Sequence, residues 1–88
     1  MNNLNEKIDL VRSILSLSIE ITNNSITDVF CSYSGHTNGL TVSVILDGWK
    51  SENPKTDYRE IIYLDRVSVK KLQEIIDYLK LIKEEIEQ

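Results

Sequence analysis

The chain has 88 residues, of which 41% are hydrophobic and 27% charged, and its formal net charge is −4. This length supports one small domain, residues 1–88, with a thin core, and the composition excludes a disordered chain. The apolar runs are all shorter than the ~18 residues of a membrane span, and the charge excludes a strongly basic nucleic-acid-binding protein.

The compartment is predicted from what the sequence does not contain. Cys31 is the only cysteine, so an intramolecular disulfide cannot form. The first residues lack the basic and apolar blocks of a signal peptide. We therefore expect a cytoplasmic protein without membrane association.

The first predicted helix begins near Asn3, a candidate N-cap with Glu6 three residues later, and ends near Ile21. Its apolar positions form two adjacent rows, Leu4, Ile8, Val11, Leu15 and Ile19, and Leu10, Ile14, Leu17 and Ile21. Two rows are broader than one contact requires, so this helix is expected to touch a second surface, either the last helix or a partner chain. Residues 17–22 also alternate with the period of a strand, which leaves a strand there as the alternative.

A hairpin is predicted around Asn38-Gly39, because both residues tolerate the positive φ of a two-residue turn. Its strands would be residues 26–33 and 40–46. This turn would pair Tyr33 with Val44 and Cys31 with Leu46, and would place the apolar side chains on one face.

A third strand is predicted at residues 58–64, with Ile61 and Tyr63 on one face and Ile62 and Leu64 on the other. Ser68 then caps a last helix with a regular apolar stripe, ending near Glu87. The predicted fold is α+β in the order α-β-β-β-α, a three-stranded antiparallel sheet with both helices packed on one face.

No catalytic constellation is visible in the sequence. Cys31 and His36, the only thiol and the only imidazole, would lie on opposite faces of the hairpin, which separates a nucleophile from its base. One cysteine and one histidine also cannot build a structural zinc site. We therefore predict a protein that is not an enzyme, with no catalytic residues, no bound metal and no cofactor.

The candidate partner-binding residues are Trp49, Lys50, Tyr58 and Arg59, which lie in or directly after the longest polar segment, residues 47–57. Tryptophan, tyrosine and arginine dominate the residues that anchor protein interfaces. The alternative for Trp49 is a core position that closes the edge of the sheet.

The charged residues are unevenly distributed. Residues 50–71 carry six cations against four carboxylates, a net +2. A nucleic-acid-binding regulator is therefore the alternative function, with a basic cluster of Lys50, Lys55, Arg59, Lys70 and Lys71.

The small size, the mild acidity, the composition rich in Asn, Ile and Lys, and the helix, sheet, helix order resemble the small anti-defence proteins of phages and mobile elements, including anti-CRISPR inhibitors. Residues Asn24-Ser25-Ile26-Thr27, leading into a hairpin, are similar to one such inhibitor. The resemblance implies a non-catalytic inhibitor or regulator that blocks a larger protein partner, such as a nuclease. Homodimerisation is a second, less favoured form of association.

Overall fold

The computed structural model describes residues 3–48 and 56–87. The elements are two helices, α1 (Leu4–Asn24) and α2 (Val69–Ile86), and three strands between them, β1 (Asp28–Ser34), β2 (Gly39–Ile45) and β3 (Tyr58–Tyr63). The strands form one antiparallel sheet in the order β1-β2-β3. The predicted α+β fold and its α-β-β-β-α order are confirmed.

The core lies between one face of the sheet and the two helices. Alternate residues of β2 point into it, and Leu40, Val42 and Val44 are fully buried. The helices contribute the other half of the core, Ile14, Leu17 and Ile21 from α1 and Leu72, Ile75, Ile76, Leu79 and Ile82 from α2. These are the apolar stripes that the sequence pattern predicts.

The two helices run in the same direction across the sheet. Lys7, near the start of α1, donates a hydrogen bond from Nζ to the carbonyl of Leu64, just after β3. The start of α2 lies at that same end, because Val67 N donates to the carbonyl of Tyr63. At the opposite end, Lys83 pairs with Glu20 at 2.7 Å. Neither helix of the described residues is long and apolar enough to cross a membrane.

The first helix ends later than predicted, at Asn24 rather than Ile21, and the strand alternative for residues 17–22 is wrong. The side chains of Asn23, Asn24 and Ser25 each donate to the carbonyl four residues earlier, at 2.7–2.8 Å. These bonds add side-chain donors to backbone carbonyls at the end of α1, which stabilises its last turn. At the other end, Asn3 occupies the N-cap position without a side-chain cap bond, so the predicted capping box does not form.

The hairpin is wider than predicted. Ser34 pairs with Gly39, which leaves a four-residue turn, and Cys31 faces Val42 rather than Leu46. Asn38 takes a positive φ of 56°, whereas Gly39 does not take one. The partner of each β1 residue shifts by four positions, an even number, so the predicted apolar face is kept despite the wrong register.

The turn is held by one contact from nearby in the chain and one from the far side of β3. Asn38 accepts from Leu64 N through its carbonyl at 3.0 Å and from the Tyr33 hydroxyl through Oδ1 at 2.7 Å. The first of these bonds comes from the residue that follows β3, and the second comes from β1. Local turn propensity is therefore outweighed by pairing within the full sheet.

Candidate protein-binding surface

The face of the sheet opposite the helices has exposed apolar side chains among polar ones. We call this face, made of Phe30, Thr41, Ser43, Arg59, Ile61 and Tyr63, the open face; the register places these side chains on one side. Ile61 is 52% exposed and Tyr63 is 36% exposed. Among the described residues, no helix packs on this face, since both helices contribute their apolar stripes to the other. A sheet face that exposes aliphatic and aromatic side chains is typical of an interaction surface.

Tyr63 is fixed in position on the open face by its neighbours. A Cβ atom at Gly39, its cross-strand partner, would lie 3.2 Å from the Tyr63 ring, so glycine leaves room for the ring to lie across β2. The Arg66 guanidinium lies over the Tyr63 ring, 4.6 Å from its centroid, and Arg66 Nε is 3.6 Å from Asp65 Oδ2. The ring is therefore an ordered aromatic contact, which costs little conformational entropy on binding.

The structure separates two of the predicted partner-binding residues. Arg59 is exposed on the open face, and Tyr58, its neighbour in β3, points to the helix side. Trp49 and Lys50 lie outside the described residues. A partner on the open face would contact the side chain of Arg59 and not that of Tyr58.

Tyr58 instead packs within the fold. Its ring stacks on that of Tyr78 from α2, with centroids 4.2 Å apart and planes inclined by 27°. Burial raises the pKa of both phenols above 10.0. This stack attaches α2 to β3 and supports a structural role for Tyr58.

The described members of the predicted basic cluster do not form one patch. Arg59 is on the open face, whereas Lys71 pairs with Glu60 on the helix side, and this hydrogen bond raises the pKa of Lys71 above 10.5. Lys70 is exposed at the start of α2. Lys50 and Lys55 lie outside the described residues.

Cys31 and His36 occupy different environments. Cys31 is half-buried beside Ser18 under α1, and burial raises the pKa of its thiol above 9.0, so it is a poor nucleophile at neutral pH. His36 is exposed in the hairpin turn. Within residues 3–48 and 56–87, no three side chains of the metal-binding types come together as a metal site.

A second apolar surface lies on the outer side of α1. The row Leu4, Ile8, Val11, Leu15 and Ile19, here called the α1 outer row, contains three exposed residues, Leu4, Leu15 and Ile19. Most of the row lines a shallow groove of about 430 Å³ together with Tyr33 and Leu64. The α1 outer row is the surplus apolar side that the sequence indicates, and homodimerisation through it stays a prediction.

Comparison with known proteins found no matching family model, no significantly similar characterised protein and no significantly similar solved structure. Function must therefore be argued from the surfaces themselves.

Ile61 and Tyr63 are absent from the candidate residues chosen from the sequence. The sequence does indicate them, because β3 has apolar residues on both of its faces. The two amphipathic helices cover one face of the sheet and leave the other uncovered. An apolar side chain on the second face must then be exposed or covered by a partner.

Proposed function

We propose that this chain is a non-catalytic protein-binding domain that docks its open face onto a larger protein and blocks it. The single observation that carries this proposal is the exposure of Ile61 and Tyr63 beside Arg59 on an ordered sheet. Aromatic and arginine side chains at the centre of a rigid surface supply most of the energy of protein interfaces.

The nature of the partner is proposed from the resemblance to anti-defence proteins. This chain shares their small size and their order of helices and strands. These features support a phage or mobile-element inhibitor that acts in the cytoplasm on a protein such as a nuclease. Mimicry of DNA would require many carboxylates on the docking surface, whereas the open face presents Arg59, Arg66 lies over Tyr63, and Asp28 is on the same side of the sheet at the start of β1. The proposed inhibitor therefore acts by steric blocking rather than by imitating nucleic acid.

Affinity capture with quantitative mass spectrometry tests the proposal. The wild-type chain is compared with an Ile61→Ser, Tyr63→Ser double variant on lysate from the source organism. Leu81→Ser is the matched control, since Leu81 on α2 is 58% exposed and lies away from the open face. We expect a protein that is retained by the wild type and the control and lost by the double variant. A capture profile identical for all three proteins would reject the open face as the docking surface.

A nucleic-acid-binding function is the second candidate, because the open face also combines Tyr63 with Arg59 and Arg66. An aromatic ring and two guanidinium groups can stack on bases and neutralise phosphates. This function predicts binding to single-stranded oligonucleotides whose log affinity falls by about 0.7 per phosphate contact for each decade of salt. Absent or salt-insensitive binding would exclude it.

A further inference from the structure

The two edges of the sheet differ in how their backbone groups are satisfied. Leu64 N donates to the carbonyl of Asn38, which sets the alternation of hydrogen-bonded pairs between β2 and β3. By that alternation the backbone groups of Arg59, Ile61 and Tyr63 point away from β2, towards the outer edge. The carbonyl of Tyr63 is occupied, since it accepts from Arg66 N and Val67 N at 3.0 and 2.8 Å.

At Arg59 and Ile61, no described residue bonds to these outward backbone groups. The corresponding edge of β1 is different, because Thr22 of α1 bonds to the backbone of Val29 there. At Val29 a helix side chain therefore occupies the edge of β1, whereas at Arg59 and Ile61 the edge of β3 presents amide and carbonyl groups to any chain that can form a fourth strand.

The charges beside the open edge select the kind of strand. Two carboxylates near this edge pair with cations, Glu60 with Lys71 and Asp65 with Arg66, and Asp57 accepts a hydrogen bond from Leu46 N. Arg59 and Lys70 are exposed, and neither has an ion-pair partner among the described residues. Within β3 itself, Glu60 is paired with Lys71 and the charge of Arg59 is not, so a strand that brings a carboxylate to Arg59 is complementary to this edge.

We infer that the outer edge of β3 binds an extended acidic segment of the partner protein as an added antiparallel strand. This inference rests on the proposed protein-binding function. A carboxylate of the segment lies opposite Arg59, and an apolar side chain lies opposite Ile61 on the open face. A second copy of the chain fits less well, because the carboxylate of its β3, Glu60, is already paired with Lys71 and so is not available to Arg59.

The probe is a phage-displayed library of random linear peptides about twelve residues long, selected on the full chain. Selected peptides are then synthesised, and their binding to the wild type and to four variants is measured by calorimetry. Ile61→Pro removes the outward amide without removing a bond to β2, whereas Ile61→Thr changes the side chain and keeps the amide. Arg59→Glu reverses the charge at the edge, and Arg12→Glu is its control on the exposed side of α1.

We expect the selected peptides to be enriched in Asp and Glu. Ile61→Pro and Arg59→Glu should each weaken binding by about tenfold, and Ile61→Thr and Arg12→Glu by less than about threefold. In the wild-type complex, hydrogen exchange of the Ile61 amide should slow, which tests the inference even if Ile61→Pro unfolds the chain.

Equal losses for Ile61→Pro and Ile61→Thr would overturn the added strand and leave docking on the open face intact. A failure to select peptides, a lack of acidic enrichment, or self-association through β3 would also overturn it. Selected peptides insensitive to both Ile61 variants would count against the edge and the open face together.

Discussion

The Thr22 hydroxyl forms the two backbone hydrogen bonds at Val29 that a neighbouring strand would otherwise form. Its Oγ1 accepts a hydrogen bond from Val29 N at 3.0 Å and donates to the carbonyl of Val29 at 3.4 Å. One helical side chain thus satisfies both outward backbone groups of a residue in β1. Helix α1 thus occupies the edge of β1 at Val29, whereas none of the described residues bonds to the outward backbone groups of Arg59 and Ile61 in β3.

The first prediction concerns this pair. Thr22→Val keeps the shape of the side chain and removes both hydrogen bonds, so the free energy of unfolding should fall by about 1 kcal/mol. Urea denaturation measures the change, and hydrogen exchange of the Val29 amide should become faster. Thr22→Ser keeps the hydroxyl and should preserve the protection of that amide. Unchanged exchange in Thr22→Val would show that Thr22 does not protect this edge.

The second prediction concerns the buried Lys7. The residue is only 8% exposed, and its Nζ donates to the carbonyl of Leu64 at 2.8 Å. Lys7→Met keeps the apolar stem and leaves that carbonyl without its donor, which should cost about 1–3 kcal/mol of unfolding free energy. Lys7→Ala should cost more, because the stem packing is lost as well. Denaturation curves in which Lys7→Ala equals the wild type would refute this role.

The third prediction concerns the stacked pair Tyr58 and Tyr78. Tyr58→Ala removes a half-buried ring and should lower the free energy of unfolding by about 2 kcal/mol. Tyr58→Phe keeps the stacked ring and should change the free energy of unfolding by less than about 0.5 kcal/mol. If Tyr58→Ala instead retains stability and loses the captured partner, Tyr58 is an interface anchor as the sequence suggests.

The fourth prediction is a loss of stability at alkaline pH. Burial raises the pKa of Cys31 above 9.0 and those of Tyr58 and Tyr78 above 10.0, and carboxylate partners raise those of Lys71 and Lys83 above 10.5. The folded chain therefore holds these protons more tightly than the unfolded chain. Their contribution is complete below the unfolded pKa values and disappears as the pH rises through the folded ones.

Urea midpoints measured from neutral pH to above 10.5 should therefore decrease, beginning near pH 9.0. Lys83→Met removes one of the five groups and should make the decrease above 10.5 less steep. A midpoint that stays constant or rises over this range would contradict the direction of the shifts.

Much of the fold follows from local patterns in the sequence. The stripe of α2 and the alternation in β2 identify the residues of the core, because burial repeats with the period of each element. The end of α1 and the register of the hairpin do not follow from such patterns. Both depend on individual hydrogen bonds, from Asn24 to a carbonyl of the last turn and from Leu64 N to Asn38.

The candidate site was only partly predictable for the same reason. Arg59 is exposed, as its polarity indicates, and strand parity places it on the face opposite Tyr58. The choice between interface and core for Tyr58 depends on Tyr78, twenty positions away, whose ring it contacts. Ile61 and Tyr63 become candidates only once the sheet shows which face the helices leave uncovered.

Hydrogen-exchange mass spectrometry of the captured complex tests the central claim most directly. We expect the largest decrease in exchange at residues 59–63 of β3, because the open face and its edge meet there. The α1 outer row, including Leu15 and Ile19, should exchange as in the free chain. Protection confined to α1, with β3 unchanged, would contradict docking through the open face.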